Sequence, residues 1–221
     1  MPLRFARALK LATAVGIAAA ITVHFLSLPV LLWTFAPLAT LLIFFIAFAN
    51  WTIRKDSYSL WISIGLLFSL AGDVLLLRSD HFFTLGLFAF LLTHIAYLFA
   101  FTRGTRFPAR LGIWVLYLLF AACCNVLLFS WLPAGLRLPV AVYSLFLLSM
   151  AAQAMGRSLL LRTTAARFAA IGALLFVLSD GLLAVDRFYR PLRYAPLLIL
   201  VPYYAAQWLI ASSTDAPQSP S

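Results

Sequence analysis

The sequence predicts a polytopic α-helical membrane bundle, on three observations. The chain is 65% hydrophobic with a mean hydropathy of +1.04, more apolar surface than a water-soluble fold can hide. Apolar stretches of roughly 20 residues recur from end to end, the length at which a helix crosses a hydrocarbon core of about 30 Å. Lipid offers no partner to backbone N–H and C=O groups, and these stretches are far too long for barrel strands. That leaves helices, which pair their own backbone. The 221 residues read as one transmembrane domain over 1–211, with a small, polar, Pro-containing disordered tail over 212–221.

Eight spans follow, at roughly 8–26, 30–49, 58–77, 82–101, 111–130, 138–155, 167–185 and 192–211. The first follows Arg4, Arg7 and Lys10, and its Ala18-Ala19-Ala20 resembles a cleavage site. No soluble module comes after it, so an uncleaved span is expected rather than a signal peptide. Pro29 marks the turn into the second span, and Arg54-Lys55-Asp56 closes it. The third carries Asp73 and the fourth His94 and Tyr97; a polar break, Arg103 to Pro108, separates the fourth from the fifth. Cys123 and Cys124 stand together in the fifth span and read as small buried hydrophobes, with no disulfide framework or metal site behind them. Pro133 and Pro139 mark the turn into the sixth span. The seventh carries Asp180, and the eighth Tyr203, Tyr204 and Gln207.

The net charge of +10 does not point to nucleic acid, because the basic residues are scattered through short loops instead of forming a patch. Eleven of them fall on one side: the three at the N-terminus, Arg54 and Lys55, Arg103, Arg106 and Arg110, and Arg157, Arg162 and Arg167. Five fall on the other: Arg78, Arg137, Arg187, Arg190 and Arg193. The positive-inside rule then places both termini in the cytoplasm, and the expected location is a bacterial inner membrane. Asp73 and Asp180 would lie level with each other, roughly 7–11 Å inside the outer interface at 1.5 Å per residue.

These two acids are the strongest functional signal. An aspartate within a span costs roughly 2.5–3.5 kcal/mol on insertion scales, and such residues usually face the bundle interior and mark a functional pathway. The remaining aspartates have local explanations: Asp56 beside Arg54 and Lys55, Asp80 near Arg78, Asp186 spaced to pair with Arg190, and Asp215 in the tail. The ordinary alternative is that Asp73 and Asp180 are interhelical hydrogen-bonding glue, but two on similar helices weigh toward function. Superposing Asp73 on Asp180 aligns Leu75-Leu76 with Leu182-Leu183, the trace of a weak parallel repeat of four spans and four. Gly72 and Gly181, each next to its acid, suit close helix approach or ligand access. His94 and Tyr97 on one face, Tyr143 with Met150, and Tyr203, Tyr204 and Gln207 are candidate pocket residues. No Gly-rich phosphate loop, zinc motif or Gly-x-Ser-x-Gly elbow is present.

Several of these pieces together resemble the YhhN-like lysoplasmalogenase family: Gly72-Asp73-Val74-Leu75-Leu76, Phe83 and Gly86 to Phe90 leading into His94 and Tyr97, Pro139 to Tyr143 with Met150, Gly172 to Asp180, and Tyr203 to Gln207. The resemblance covers roughly residues 35–210. It departs at Ala36-Pro37, where the family pattern has Lys-Pro. It implies hydrolysis of the vinyl-ether bond of a lysoplasmalogen to a fatty aldehyde and a glycerophospho-alcohol. The expected catalytic pair is Asp73 and Asp180, with His94, Tyr97, Tyr143, Tyr204 and Gln207 lining a pocket for a lysophospholipid. Water is the only co-reactant, and no metal or cofactor is expected. Arg78, Arg187, Arg190 and Arg193 are candidates to receive the headgroup phosphate. Two acids suffice for this chemistry: one protonates the carbon β to the ether oxygen, the other supports the cation and takes a proton from water. The rival readings are a proton-coupled transporter and a non-enzymatic lipid-binding or scaffolding protein.

Overall fold

The computed structural model describes residues 3–25, 29–78 and 80–215. The side chains of Arg4, Arg7, Lys10 and Asp80, and the tail beyond Asp215, lie outside the described residues. Eight long helices account for nearly all of the rest: α1 (Leu3–Phe25), α2 (Pro29–Arg54), α3 (Ser57–Arg78), α4 (Phe83–Phe101), α5 (Leu111–Leu128), α6 (Ala134–Leu161), α7 (Thr164–Ala184) and α8 (Ala195–Ser212). A 3₁₀ turn, Asp80–Phe82, leads into α4, and a π-helical turn, Val185–Tyr189, ends α7. Among the described residues, seven helices are long and apolar enough to cross a membrane. The protein is an integral membrane helical bundle.

The helices differ from the predicted spans chiefly at α6, which starts four residues early and extends to Leu161. Pro139 lies inside it instead of in the turn. It sits within the first two turns, where only the bond to the Gly135 carbonyl is lost. The cysteines also depart from expectation: Cys123 is exposed and Cys124 only half-buried. The cause is the position of α5, which packs chiefly on α6 and buries only Trp114 and Ala121.

The fourfold-plus-fourfold repeat is plain in the packing. The sequential contacts α1–α2, α2–α3 and α3–α4 recur as α5–α6, α6–α7 and α7–α8, and the α4–α6 contact between halves has its counterpart in α8–α2. The turns repeat as well. Lys55 and Arg162 both take left-handed backbone, with φ of 54° and 55°. Each is followed by a capping residue seventeen positions before its aspartate, Asp56 or Thr163. Asp56 Oδ1 accepts from Ser59 N–H at 2.8 Å, and Thr163 Oγ1 from Ala166 N–H at 3.2 Å, each satisfying a free donor of the following helix. Gly65 and Gly172, eight residues before those aspartates, mark the close crossings of α3 on α4 and α7 on α8. A Cβ at Gly65 would strike the Tyr97 ring, and one at Gly172 would lie 2.8 Å from Ala206 O.

Candidate active site

Asp73 and Asp180 sit on α3 and α7, and the repeat supplies each with two partners of the same origin. For Asp73, Thr40 Oγ1 on α2 donates to Oδ2 at 2.5 Å, and the Tyr203 hydroxyl on α8 donates to Oδ1 at 2.8 Å. For Asp180, the Tyr143 hydroxyl on α6 donates to Oδ2 at 2.5 Å, while His94 Nε2 on α4 lies 3.0 Å from that hydroxyl and 3.4 Å from the carboxylate. Each acid is therefore held by the helix before it in its own half and by the last helix of the other half.

Behind Asp73 runs a one-way chain of buried hydrogen bonds. Tyr97 donates to Gln207 Oε1 at 2.6 Å, which turns the amide nitrogen of Gln207 toward Ser69 Oγ. Ser69 then passes its proton to the Tyr203 oxygen at 2.7 Å, leaving the Tyr203 proton for Asp73. The order follows from donor and acceptor inventory: once the Gln207 oxygen is occupied, every later hydroxyl has one direction open. Around Asp180, Tyr143 gives its proton to the carboxylate, so His94 Nε2 carries the proton donated to the Tyr143 oxygen. His94 Nδ1 is buried and makes no hydrogen bond. The rings of Phe90 and Phe176 stand edge-on between the two networks, with Phe176 5.6 Å from Tyr203 and 4.9 Å from His94.

Both acids open onto one chamber of about 1330 Å³, larger than the about 300–1,000 Å³ of ordinary small-molecule pockets. Its wall is otherwise mostly Leu, Phe and Val from α3 to α8, with one side formed by the loosely attached α5. At one end the aromatic pairs Trp131–Tyr189 and Phe83–Phe188 line it, with centroids 5.0 and 5.9 Å apart.

Of the predicted pocket residues, Tyr143 and Tyr204 line the chamber. His94, Tyr97 and Gln207 are fully buried behind it and act on the acids through hydrogen bonds. His94 and Tyr97, which share a helix face in sequence, serve different acids. The four arginines are not on the chamber wall. Arg78, Arg187, Arg190 and Arg193 each lie over a neighbouring ring, Phe82, Phe83, Tyr189 and Tyr194 respectively, 5.0–5.7 Å from its centroid. Asp186 accepts from Leu192 N–H at 2.7 Å where sequence spacing suggested Arg190. A Cβ at Gly72 would lie 2.6 Å from the Phe90 ring, whereas one at Gly181 would meet nothing within 4 Å. The first glycine thus permits helix approach and the second keeps the chamber wall open.

Sequence reasoning missed Thr40, Ser69 and the separate role of Tyr203. Ser69 and Tyr203 stand four residues before Asp73 and Gln207, and that spacing was the available signal. Thr40 offered none.

The chain matches the YhhN family over residues 31–214. The chain belongs to the YhhN family. Curated relatives include the lysoplasmalogenase TMEM86A of Bos taurus, 37% identical over 164 residues, covering 72% of this chain and 67% of that protein. The lysoplasmalogenase TMEM86B of Homo sapiens is 35% identical over 159 residues, covering 72% and 65%. A lysoplasmalogenase of Mycobacterium bovis is 30% identical over 159 residues, covering 69% and 59%. This YhhN family chain thus aligns over about two thirds of the length of the first two. No solved structure matches it.

Proposed function

We propose that this chain hydrolyses the vinyl-ether bond of lysoplasmalogens, releasing a fatty aldehyde and a glycerophospho-alcohol, with Asp73 and Asp180 as the acid–base pair. The observation that carries the reading is that two span-embedded carboxyl groups, Asp73 fixed by two hydroxyl donors and Asp180 by the Tyr143 hydroxyl with His94 behind it, share one apolar, lipid-sized chamber. The relatives, which are lysoplasmalogenases, support the substrate class. Protonation of the carbon β to the ether oxygen gives an oxocarbenium ion. Water adds to it with loss of a proton, and the resulting hemiacetal collapses, expelling the glycerol oxygen and leaving the aldehyde.

The surroundings support a division of labour. Asp73 keeps both contacts when neutral, because the Thr40 hydroxyl accepts as readily as it donates; it is assigned the general acid. Asp180 receives the Tyr143 hydroxyl on one oxygen, with His94 Nε2 3.4 Å from it, and its Oδ1 has no protein partner among the described residues. That oxygen is free to take the proton of an attacking water. Tyr143, Tyr203 and Tyr204 line the substrate's path, and His94, Tyr97 and Gln207 position the acids. The headgroup is placed at the aromatic end, where Arg187 and Arg190 flank the wall residues Phe188 and Tyr189. Both aspartate helices run unbroken through their acids, unlike the interrupted helices typical of carriers. Incubating purified protein with a panel of lysolipids, and analysing by mass spectrometry, tests the proposal: free fatty aldehyde is expected from the 1-alkenyl lipids, and its absence refutes the reading.

A further inference from the structure

The chamber wall also carries polar groups outside both networks, among them Asn125. Asn125, on α5, faces the same chamber as the two acids. Its amide donates to Ala121 O at 2.8 Å and to Ser144 Oγ at 2.6 Å. A backbone carbonyl can only accept, so the group facing Ala121 must be the nitrogen, and the orientation of the amide is settled. Ser144 is itself fixed, its hydroxyl donating to Ala141 O at 3.0 Å. Both Asn125 donors are thus engaged within the protein, and its Oδ1 has no protein partner among the described residues. It is an oriented acceptor on a residue that lines both this largely apolar chamber and a second, smaller hollow beside Arg137. Ser144 directly follows Tyr143, the residue that holds Asp180, so the acceptor belongs to the same stretch of the chamber as that acid.

An acceptor so placed calls for a donor, and an acyl or alkenyl chain has none. The substrate proposed above has one close to the reacting bond: the free hydroxyl on the central glycerol carbon, only a few covalent bonds from the ether carbon. In a two-chain lipid that hydroxyl is esterified, and the site would then enclose an unpaired carbonyl facing a group that cannot donate. We propose that Asn125, oriented by Ser144, accepts a hydrogen bond from this hydroxyl and so sets the requirement for a single-chain lipid. The inference rests on the vinyl-ether reading and adds to it the residue that distinguishes lyso from two-chain substrates.

A site built to bind a substrate hydroxyl rejects the analogue lacking it far more strongly than an apolar pocket rejects a change of one methylene. The test uses the full-length protein in detergent and two substrates, a 1-alkenyl-glycerophosphocholine and its 2-deoxy analogue. Wild type should favour the hydroxyl substrate by about 100-fold or more in kcat/KM. Asn125→Leu should bring that ratio close to one, and Ser144→Ala, which frees the amide to turn, should lower it. A purely structural bond between α5 and α6 would slow both substrates alike and leave the ratio intact. Should Asn125→Leu fail to fold, Ser144→Ala decides. A wild-type ratio near one, or a large ratio kept in the folded variants, overturns the assignment while leaving the parent reaction standing. Aldehyde from neither substrate overturns the parent reaction, and this inference with it.

Discussion

Replacing each acid by its amide separates catalysis from glue, and the structure indicates how well the amide fits. At residue 73 the hydrogen-bond chain delivers the Tyr203 proton, so asparagine would turn its oxygen there. Its nitrogen would then face Thr40, whose hydroxyl can accept. At residue 180 the asparagine oxygen would take the Tyr143 proton, and the nitrogen would occupy the side with no protein partner. At residue 180 the change exchanges a hydrogen bond to a carboxylate, about 1.5–3 kcal/mol, for a neutral one of about 0.5–1.5 kcal/mol, and at residue 73, the assigned general acid, it exchanges neutral bonds for neutral ones. The folded state should therefore lose only about 1 kcal/mol. The rate should suffer far more. Loss of a general acid or base typically costs about 10²–10⁴-fold, or about 3–5 kcal/mol of barrier at 1.36 kcal/mol per decade. Asp73→Asn and Asp180→Asn are each expected to melt within a few degrees of wild type in detergent while losing at least about 100-fold in aldehyde release from a lysoplasmalogen. Variants that remain folded and turn over at near wild-type rates would refute the two-acid mechanism.

Three further outcomes are expected. Lipids with a 1-alkenyl chain should be cleaved in preference to 1-acyl lysolipids, because the chamber offers the Asp73 and Asp180 carboxyl groups and, among the described residues, no serine or cysteine nucleophile paired with a base; release of free fatty acid at a comparable rate contradicts this. Gly172→Leu should lower the melting temperature by the several degrees that correspond to about 1–3 kcal/mol of overpacking, since its Cβ would press to 2.8 Å from Ala206 O. Gly181→Ala, with nothing within 4 Å, should melt like wild type, and equal melting of the two variants would contradict the crossing described for α7 and α8. Both termini are expected in the cytoplasm, so a reporter active only outside the inner membrane should stay silent when fused at Ser221; a signal from it overturns the topology and the placing of the acids toward the outer face.

The two aspartates were legible in the sequence because ionisable groups in spans are costly and therefore conspicuous. Their partners were less so. A buried hydroxyl in an apolar helix is unremarkable when read alone, since threonine commonly satisfies itself on its own turn, as Thr13 does on Leu9 O. Thr40 turns instead to Asp73 on the next helix, and only packing reveals that. Tyr203 and Tyr204 are neighbours in sequence yet point about 100° apart around α8. One reaches Asp73 and the other Ala36 O at 3.3 Å, so a shared label as pocket residues conceals two roles. The arginines were read from charge and depth alone, which could not anticipate that aromatic neighbours would take their guanidinium faces.

The repeat accounts for two acids, and its imperfection for a single chamber. Had the halves remained equivalent, Asp73 and Asp180 would have equivalent surroundings and no means of dividing acid from base. In the first half α1 packs on α8 as well as on α2, closing that side. Its counterpart α5 packs chiefly on α6 and leaves a hollow beside α4 and α7, into which both acids open. The partners come from equivalent helices but not from equivalent positions: Thr40 stands 33 residues before Asp73 and Tyr143 37 before Asp180, so Asp73 has two hydroxyls on two oxygens while Asp180 has Tyr143, with His94 behind it, on one. Two similarly built sockets are thus unlike, and an unlike pair opening onto one chamber is what the proposed general acid–base chemistry requires.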